Sequence, residues 1–316
     1  KNRLLIFFRI PYKNKMKKSS YILVVNCGSS SIKASLFDIK KDKEVMETYE
    51  ENVKNYEQAI GKILGKVKKI AGDLSGMKSV GHRVVHGGEK FIKPTVITRG
   101  VVRELEKLIK LAPLHNPANI KGIKACMKLM PDAKHVAVFD TAYYATLPQK
   151  AYLYALPYKL YAKRKIRRYG FHGTSHEYVT HEAIRFLKHK KNLKIISCHL
   201  GNGVSITASV NGKAVDTSMG FTPLEGLPMG TRSGDIDPAI IFHLMGKTGG
   251  KLKAEKIHTM LEKESGLKGL SELSHDMRDL RNAYFGKDKV KKNKSARALS
   301  VYCYRIAKYI GGYTAA

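Results

Sequence analysis

Three cationic side chains stand beside or close to glycines in the sequence, in segments suited to binding an anion. They are Arg83 in G-H-R-V-V-H-G-G-E, His172 in R-Y-G-F-H-G-T-S-H and Arg232 in M-G-T-R-S-G-D-I-D-P. The fork of an arginine guanidinium matches a carboxylate or a phosphate group. An imidazole ahead of a helix lies where backbone N–H groups already attract anions. These residue types favour chemistry on a negatively charged substrate.

Structural explanations remain open for the same side chains. A salt bridge within the fold would account for Arg83 among its valines equally well. Arg232 would also fit a solvated loop. If its loop instead approaches a substrate, Asp235 and Asp237 could hold the loop or its arginine in place. The acidic candidate is Asp140, which directly follows the apolar run H-V-A-V-F. In α/β folds, ligands collect at the carboxyl ends of strands.

Two segments share one layout of apolar strand, small-residue turn and alternating strand. The first runs from Tyr21 to Asp38 and turns at G-S-S-S, with Lys33 just beyond the turn. The second, from Lys194 to Val210, turns at G-N-G. Tight turns of small residues leave backbone N–H groups open to phosphate oxygens, although an ordinary serine-containing hairpin would look the same. We interpret the repeat as an internal duplication whose two turns grip one polyphosphate across a cleft.

Composition narrows the class of protein. The 316 residues suggest two domains, and the formal net charge of +32 suggests attraction for anions. No nucleic-acid module accompanies the lysines, so we expect no specific nucleic-acid binding. The sequence also lacks a complete P-loop, and residues 201–203 lack the third glycine of a dinucleotide fingerprint. We therefore expect small anionic substrates such as nucleotides and acyl phosphates.

The cysteines and the N-terminal segment bear on location. The four cysteines form no C-x-x-C pair, and most lie in apolar runs, which predicts buried free thiols in a reducing cytoplasm. The apolar run from Leu4 to Phe8 is too short to cross a membrane. We expect residues 1–18 to be a disordered upstream extension, with Met16 the natural start.

Strands and helices alternate along the chain, which predicts an α/β fold. Beyond the two repeated units, we predict strands at Glu44–Tyr49, Ser79–His86, His135–Phe139 and Lys213–Thr217. Predicted helices are Tyr56–Ile70, Val101–Leu111, Ala118–Met130, Thr174–Leu187 (capped by Thr174 or Ser175), Ala239–Met245, Ala254–Leu261, Met277–Tyr284 and Ala296–Ile310. A long loop is predicted from Met219 to Pro238, and Asn211-Gly212 indicates a type I′ hairpin.

Seven segments, in order, resemble the acetate kinase family. They are N-C-G-S-S-S-I-K (26–33), G-H-R-V-V-H-G-G-E (81–89), L-A-P-L-H-N-P (111–117), V-F-D-T-A (138–142), R-Y-G-F-H-G-T-S-H (168–176), H-L-G-N-G (199–203) and M-G-F-T-P-L-E-G-L-P-M-G-T-R-S-G-D-I-D-P (219–238). The family belongs to the superfamily of sugar kinases, heat-shock ATPases and actin. The resemblance implies two duplicated ribonuclease-H-like domains around an interdomain cleft. We expect an acetate-binding and phosphate domain at 19–157 and an incomplete nucleotide-binding domain at 158–316.

The activity that this resemblance implies is reversible transfer of the γ-phosphoryl group of ATP to acetate, giving acetyl phosphate and ADP, with Mg²⁺. We expect direct in-line transfer by a cytoplasmic homodimer. Propionate kinase, or a weakly active nucleotide-binding fragment of the same superfamily, is the alternative. Matched motifs imply catalytic roles for Asp140, His172 and Arg232, substrate binding by Arg83, a metal site at Asn26, and nucleotide binding by Lys33, His199, Leu200, Gly201, Asn202, Gly203, Asp276, Met277 and Arg278.

The chain departs from the family pattern at three places, one of which is the segment between Asp38 and Ser79, shorter than is usual in the family. Tyr144 stands where the family often has histidine. A family segment G-I-G-E-N, a metal-site glutamate and the helices of a C-terminal return do not appear before Ala316. We therefore expect a second domain truncated at the C-terminus, and weak or no activity from these 316 residues alone.

Overall fold

The computed structural model describes residues 21–188, 191–247 and 251–316. The extension predicted at 1–18 lies outside these residues. Contacts between Cα atoms divide the chain into one compact unit that ends at Tyr143 and a second that runs from Tyr144 to Ala316. In the second unit, the hydroxyl of Thr146 donates to the carbonyl of Ala214 at 2.8 Å. The predicted domain boundary between residues 157 and 158 stays a prediction.

The first unit is built on one mixed sheet. Its strands are β1 (Tyr21–Cys27), β2 (Ser31–Asp38), β3 (Lys43–Glu51), β4 (Met77–Val84), β5 (Thr95–Val96) and β6 (Lys134–Phe139). The order across the sheet is β3-β2-β1-β4-β6-β5. Strands β1 to β3 pair antiparallel, whereas β4 pairs in parallel with both β1 and β6. Since parallel strands end at the same edge, the residues at the ends of β1, β4 and β6 become neighbours.

Helices cover this sheet because their apolar residues recur at helical spacing. They are α1 (Tyr56–Ala71), α2 (Arg99–Lys107), continued by a 3₁₀ turn at Leu108–Leu111, and α3 (Asn116–Leu129). In α1, Ile60, Ile63 and Val67 are fully buried in a core with β1 and β2. The side chains of Asn55 and Thr98 cap α1 and α2 by accepting backbone N–H bonds. Both helices therefore start where local capping chemistry allows.

The second unit repeats the antiparallel part of this plan. Its strands β7 (Lys194–Leu200), β8 (Val204–Val210) and β9 (Lys213–Thr217) pair antiparallel in the order β7-β8-β9. Asn211 and Gly212 connect the last two with φ of 51° and 82°, as a type I′ turn requires. Both units thus contain the three-stranded arrangement expected of the repeated sequence layout, within the α/β class that we predicted.

Short helices and one long helix complete the described part of the second unit. They are α4 (Gln149–Tyr152), α5 (Lys159–Arg164), α6 (Gly173–Phe186), α7 (Ala239–Phe242), α8 (Ala254–Thr259), α9 (Gly266–Ser271), α10 (Met277–Phe285) and α11 (Lys289–Ala315), with π-helical turns at His243–Lys247 and Met260–Glu264. Helix α11 begins seven residues before its predicted start at Ala296, because the side chain of Asp288 caps it. The segment 219–238 forms neither helix nor strand, as predicted.

The cysteine prediction was wrong for half of the thiols. Cys27 and Cys126 are buried, but Cys198 and Cys303 are exposed. Cys198 lies on β7, where alternate side chains face outward although the surrounding sequence is apolar. None of the helices in the described ranges is long and apolar enough to cross a membrane.

Candidate functional site

In the first unit, Arg83, Asp140 and Asn26 form one hydrogen-bonded cluster. The Nε of Arg83 donates to both carboxylate oxygens of Asp140 at 3.1 Å, and its Nη2 donates to Oδ2 at 2.5 Å. The Nη1 of Arg83 donates to Oδ1 of Asn26 at 3.2 Å. Asp140 is 1% exposed, whereas the arginine side chain is 37% exposed. The guanidinium of Arg83 is therefore fixed by the buried carboxylate of Asp140 and remains partly exposed to solvent.

Strand register brings these three residues together. Arg83 pairs with Val138, two residues before Asp140, so both side chains leave the same face of the sheet. The backbone N–H of Asp140 continues the pairing by donating to the carbonyl of Val84 at 3.0 Å. Asn26 is near the end of the neighbouring parallel strand. The predicted position of Asp140 at the carboxyl end of a buried strand is thus confirmed by the fold.

Two asparagines at the start of α3 fix this edge of the sheet. Asn119 donates to the carbonyl of Cys27 at 2.7 Å and accepts from the backbone N–H of Val85 at 3.0 Å. Asn116 exchanges two hydrogen bonds with the backbone of His86, at 3.1 and 3.2 Å. Both asparagines are buried, and satisfied buried amides hold a backbone firmly. Sequence reasoning missed them, although Asn116 lay in a quoted motif.

The electrostatics of the cluster define its chemistry. The Asp140 carboxylate raises the pKa of Arg83 above its usual value, so the guanidinium stays charged at any physiological pH. Both oxygens of Asp140 are engaged by that guanidinium. In this structure Asp140 therefore acts on its surroundings through Arg83, and the arginine is the group available to a ligand.

The serine turn lies beside this cluster. Lys33 is the cross-strand partner of Asn26, so both side chains share one face of the sheet. The ammonium of Lys33 lies 2.8 Å from a carboxylate oxygen of Glu47, and both side chains are half-exposed. Such a surface ion pair contributes little to stability, so Lys33 is able to leave it for another anion. The turn closes through a 2.7 Å bond from the N–H of Gly28 to the carbonyl of Ser31, and Ser29 and Ser30 are exposed.

In the second unit, His172 and Arg232 converge on the turn between β7 and β8. A β-carbon placed on Gly203 would lie 3.1 Å from Nε2 of His172 and 3.7 Å from Nη1 of Arg232. The imidazole of His199 stacks on that of His172 with ring centroids 4.1 Å apart. Oγ of Ser175 lies 2.9 Å from Nδ1 of His199. Three cationic or titratable groups therefore surround one glycine-bearing turn.

The backbone at His172 has an unusual conformation that its neighbours maintain. With φ of 59°, His172 is left-handed and forms the N-cap of α6, so the predicted cap at Thr174 or Ser175 was wrong. Such a conformation costs of order 1–3 kcal/mol, and strained residues of this kind cluster at active sites and ligand clamps. Tyr144, which is buried, donates its hydroxyl to the carbonyl of Phe171 at 2.7 Å. The tyrosine at this departure from the family pattern thus supports the backbone next to His172.

Glu262 holds Arg232 in place, although no sequence motif indicated this pair. Its Oε2 accepts from Nε of Arg232 at 3.1 Å, and both side chains are mostly buried. Glu262 lies in the π-helical turn at Met260–Glu264, a distortion frequent at functional sites. Hydrogen bonds from Thr231 to Glu262 O and from the N–H of Ser233 to Leu261 O join the loop to this turn. Local sequence patterns do not predict the Arg232–Glu262 pair, because thirty residues separate the two side chains.

The predicted nucleotide segments meet the same loop at Gly230. A β-carbon there would overlap Oδ1 of Asn202 and lie 3.3 Å from the carbonyl of His275. Asp276 caps α10 and pairs with Arg278, whose side chain is 88% exposed. Met277 and Leu200 are also exposed. The structure therefore places residues 199–203 and 275–278 against the same backbone segment at Gly230, with exposed side chains nearby.

The described residues do not fit a resident metal ion. They contain no group of three histidine, cysteine, aspartate or glutamate side chains able to hold one. The amide oxygen of Asn26 accepts from Arg83, and both oxygens of Asp140 do the same. Mg²⁺ prefers oxygen ligands but keeps several waters and takes the remainder from substrate phosphates. The described residues therefore form no preformed cage for this ion.

Comparison with known proteins gives consistent matches. The Acetokinase family model matches residues 46–316. The acetate kinase of Thermoanaerobacter pseudethanolicus is 50% identical over 323 residues, covering 93% of this chain and 79% of that protein. A crystal structure of Porphyromonas gingivalis acetate kinase matches with a TM-score of 0.85 and 41% identity, covering 94% of this chain and 80% of that one. A propionate kinase from Francisella tularensis matches with a TM-score of 0.84, 38% identity, and coverage of 93% and 80%.

Proposed function

The chain belongs to the acetokinase family, and on that premise we propose that it transfers the γ-phosphoryl group of ATP reversibly to acetate. The products are acetyl phosphate and ADP. Family membership supports a kinase that uses ATP or ADP and acts in acetate metabolism. The finer statement, acetate as the acceptor of this chain, is our proposal.

One observation carries the proposal. His172 and Arg232 approach the same turn at Gly203, and each is held by a neighbouring side chain of the second unit. Phosphoryl transfer spreads negative charge over the equatorial oxygens, and catalysis consists mostly of positioning and electrostatic stabilisation. Two donors whose charge is already oriented lose little energy to reorganisation when that charge develops. We assign both to stabilisation of the transferring group.

Arg83 is the proposed ligand of the acetate carboxylate or of the phosphoryl group. Its guanidinium is charged, oriented by Asp140 and partly open to solvent, as recognition of an anion requires. Acetate is ionised at neutral pH, so the acceptor needs no general base. We therefore propose direct in-line transfer and give Asp140 the role of orienting Arg83.

The nucleotide is the proposed ligand of the second unit, where we propose that residues 199–203 and 276–278 contact the nucleoside. In the first unit, Lys33 is proposed as a residue that binds phosphate. Mg²⁺ is proposed to arrive as part of the MgATP substrate, which needs no preformed cage in the protein. The assignment of Asn26 to a metal site stays a prediction, because its amide oxygen accepts from Arg83 in this structure. A homodimer in the cytoplasm completes the proposal, and sedimentation would test the dimer.

Propionate kinase is the second candidate, because the propionate kinase from Francisella tularensis matches almost as well as the acetate kinases. Acetate and propionate differ by one methylene group, which changes the free energy of transition-state binding in an apolar pocket by only about 1–3 kcal/mol. Acetate should therefore exceed propionate in kcat/KM by about 10-fold or more. Equal or better turnover with propionate would reverse the assignment.

A hydroxamate assay for acyl phosphate tests both candidates. The purified protein with MgATP is expected to convert acetate best, then propionate, then butyrate. His172→Ala and Arg232→Ala should each lower kcat by about 10²–10³-fold. Arg185→Ala is the matched control, since Arg185 is an exposed arginine of α6 that pairs with Glu182 in the preceding turn. ATP binding without any acyl phosphate would instead support the nucleotide-binding alternative.

A further inference from the structure

Three side chains behind His172 continue its hydrogen bonding as far as a backbone carbonyl. Nδ1 of His172 lies 2.9 Å from Oγ of Ser205, which lies 2.7 Å from Nε2 of His176. Nδ1 of His176 lies 2.7 Å from Oγ of Ser197. The hydroxyl of Ser197 reaches the carbonyl of Thr207 at 3.4 Å. Ser205 and His176 are fully buried, so water does not substitute for these partners.

The carbonyl at the far end gives this chain a direction. A carbonyl only accepts, so the hydroxyl of Ser197 donates to Thr207 and accepts from Nδ1–H of His176. Nε2 of His176 is then the acceptor, and the hydroxyl of Ser205 donates to it. Having used its one proton, Ser205 accepts from Nδ1–H of His172.

We propose that Ser205 and His176 are positioning residues that fix neutral His172 as its Nδ1–H tautomer. The inference rests on the proposed function, in which His172 stabilises the transferring phosphoryl group. With Nδ1–H committed to Ser205, any further proton binds at Nε2. That nitrogen faces the turn at Gly203, where Arg232 also converges. The chain therefore aims the charged N–H of His172 at the place where negative charge develops.

His176 is suited to this role because it stays neutral. Burial, and then the charges of His172 and His199, lower its pKa to about 3. Protonated His176 would donate from both nitrogens and reverse the bond to Ser205. That reversal does not occur at physiological pH, so the direction of the chain is constant while His172 gains or loses a proton.

The test reads the tautomers directly. Nitrogen NMR of protein labelled in its histidines distinguishes Nδ1–H from Nε2–H, and the His172→Gln spectrum identifies the resonances of His172. Wild-type His172 and His176 are both expected as Nδ1–H. Ser205→Ala should shift neutral His172 toward Nε2–H and lower kcat by about 10- to 100-fold, the value of one hydrogen bond to a charged group. KM for acetate should stay unchanged.

Two further variants separate positioning from structure. Ser209→Ala is the matched control, since Ser209 is a buried serine of the same strand β8 whose hydroxyl donates to the carbonyl of Ile195 at 3.2 Å. It should change neither the tautomer nor kcat. Ser205→Thr keeps the hydroxyl group, so its His172 tautomer and its kcat should both lie closer to the wild-type values than those of Ser205→Ala.

The outcomes distinguish this inference from the proposed function. An Nε2–H tautomer of His172 in the wild-type protein would overturn the inference, and that measurement needs no variant to fold. An unchanged tautomer in Ser205→Ala would overturn it as well. If His172 and His176 are Nδ1–H tautomers but the protein forms no acyl phosphate, the chain of hydrogen bonds is supported and the proposed reaction is refuted.

Discussion

Replacing Asp140 by asparagine tests whether this buried carboxylate acts only through Arg83. Arg83 donates three hydrogen bonds to it at 2.5–3.1 Å. At an effective dielectric constant of about 20, two unit charges 4 Å apart attract by about 4 kcal/mol. Because the arginine is 37% exposed, solvent screening reduces this value. An asparagine would also direct an N–H group at the guanidinium.

We expect Asp140→Asn to cost about 2–3 kcal/mol of transition-state stabilisation, or about 30- to 150-fold in kcat/KM for acetate. The assay is acyl phosphate formation at varied acetate. Glu104→Gln is the matched control, because Glu104 also accepts from two cationic side chains, Lys90 and Lys107, but on the surface of α2. That control should leave kcat/KM unchanged.

A double-mutant cycle decides between the two possible roles of Asp140. If the carboxylate works through the guanidinium, Asp140→Asn should change kcat/KM by no more than about 2-fold once Arg83 is alanine. It should also raise the stability of the Arg83→Ala protein, since it removes an uncompensated buried charge. A loss as large as in the wild-type background would refute this reasoning and indicate that Asp140 contacts substrate or metal directly.

Three further predictions follow from particular contacts. Glu262→Gln should lower kcat about 10-fold, because the negative charge of Glu262 that orients Nε of Arg232 is removed. An unchanged kcat in the acyl phosphate assay would contradict this prediction. Gly170→Ala should lower the free energy of unfolding by several kcal/mol, about 3 or more, since φ is +73° and the new β-carbon would lie 2.6 Å from a ring carbon of Tyr144. Gly65→Ala, in open space within α1, should stabilise the protein slightly in the same urea titration. Burial lowers the pKa of His82 to about 3, so as pH drops from 7 to 5 the unfolded state takes up a proton that the folded state does not. The free energy of unfolding should therefore fall over this range. If it falls equally steeply with pH in His82→Gln, His82 is not the cause.

Much of the fold was predictable because its signals are local. Apolar runs before the turns at Gly28 and Gly201 predicted strands, and the Asn211-Gly212 pair predicted its type I′ turn. The short helices α4, α5 and α9 escaped prediction. Helix α9 begins where the N–H of Leu267 donates to the carbonyl of Met229, a contact that no pattern within six residues can encode.

The candidate site was predictable in its residues but only partly in its arrangement. The motifs named Arg83, His172 and Arg232, and the buried strand placed Asp140 at its end. They did not reveal Glu262 or the serines behind His172, because polar side chains in a strand and a short helix look like ordinary surface positions. The only prior sign was His176, which stood unassigned in a quoted segment.

The sequence by itself determined which groups carry charge and where strands turn, since both depend on residue type and on neighbours a few positions away. Tertiary structure alone decided which oxygen each cation contacts. The pairs Arg83–Asp140, His172–Ser205 and Arg232–Glu262 span 57, 33 and 30 residues. Partners at such separations meet only when strand register and loop packing have brought their backbones together, so the direction in which each charge points is a property of the folded chain.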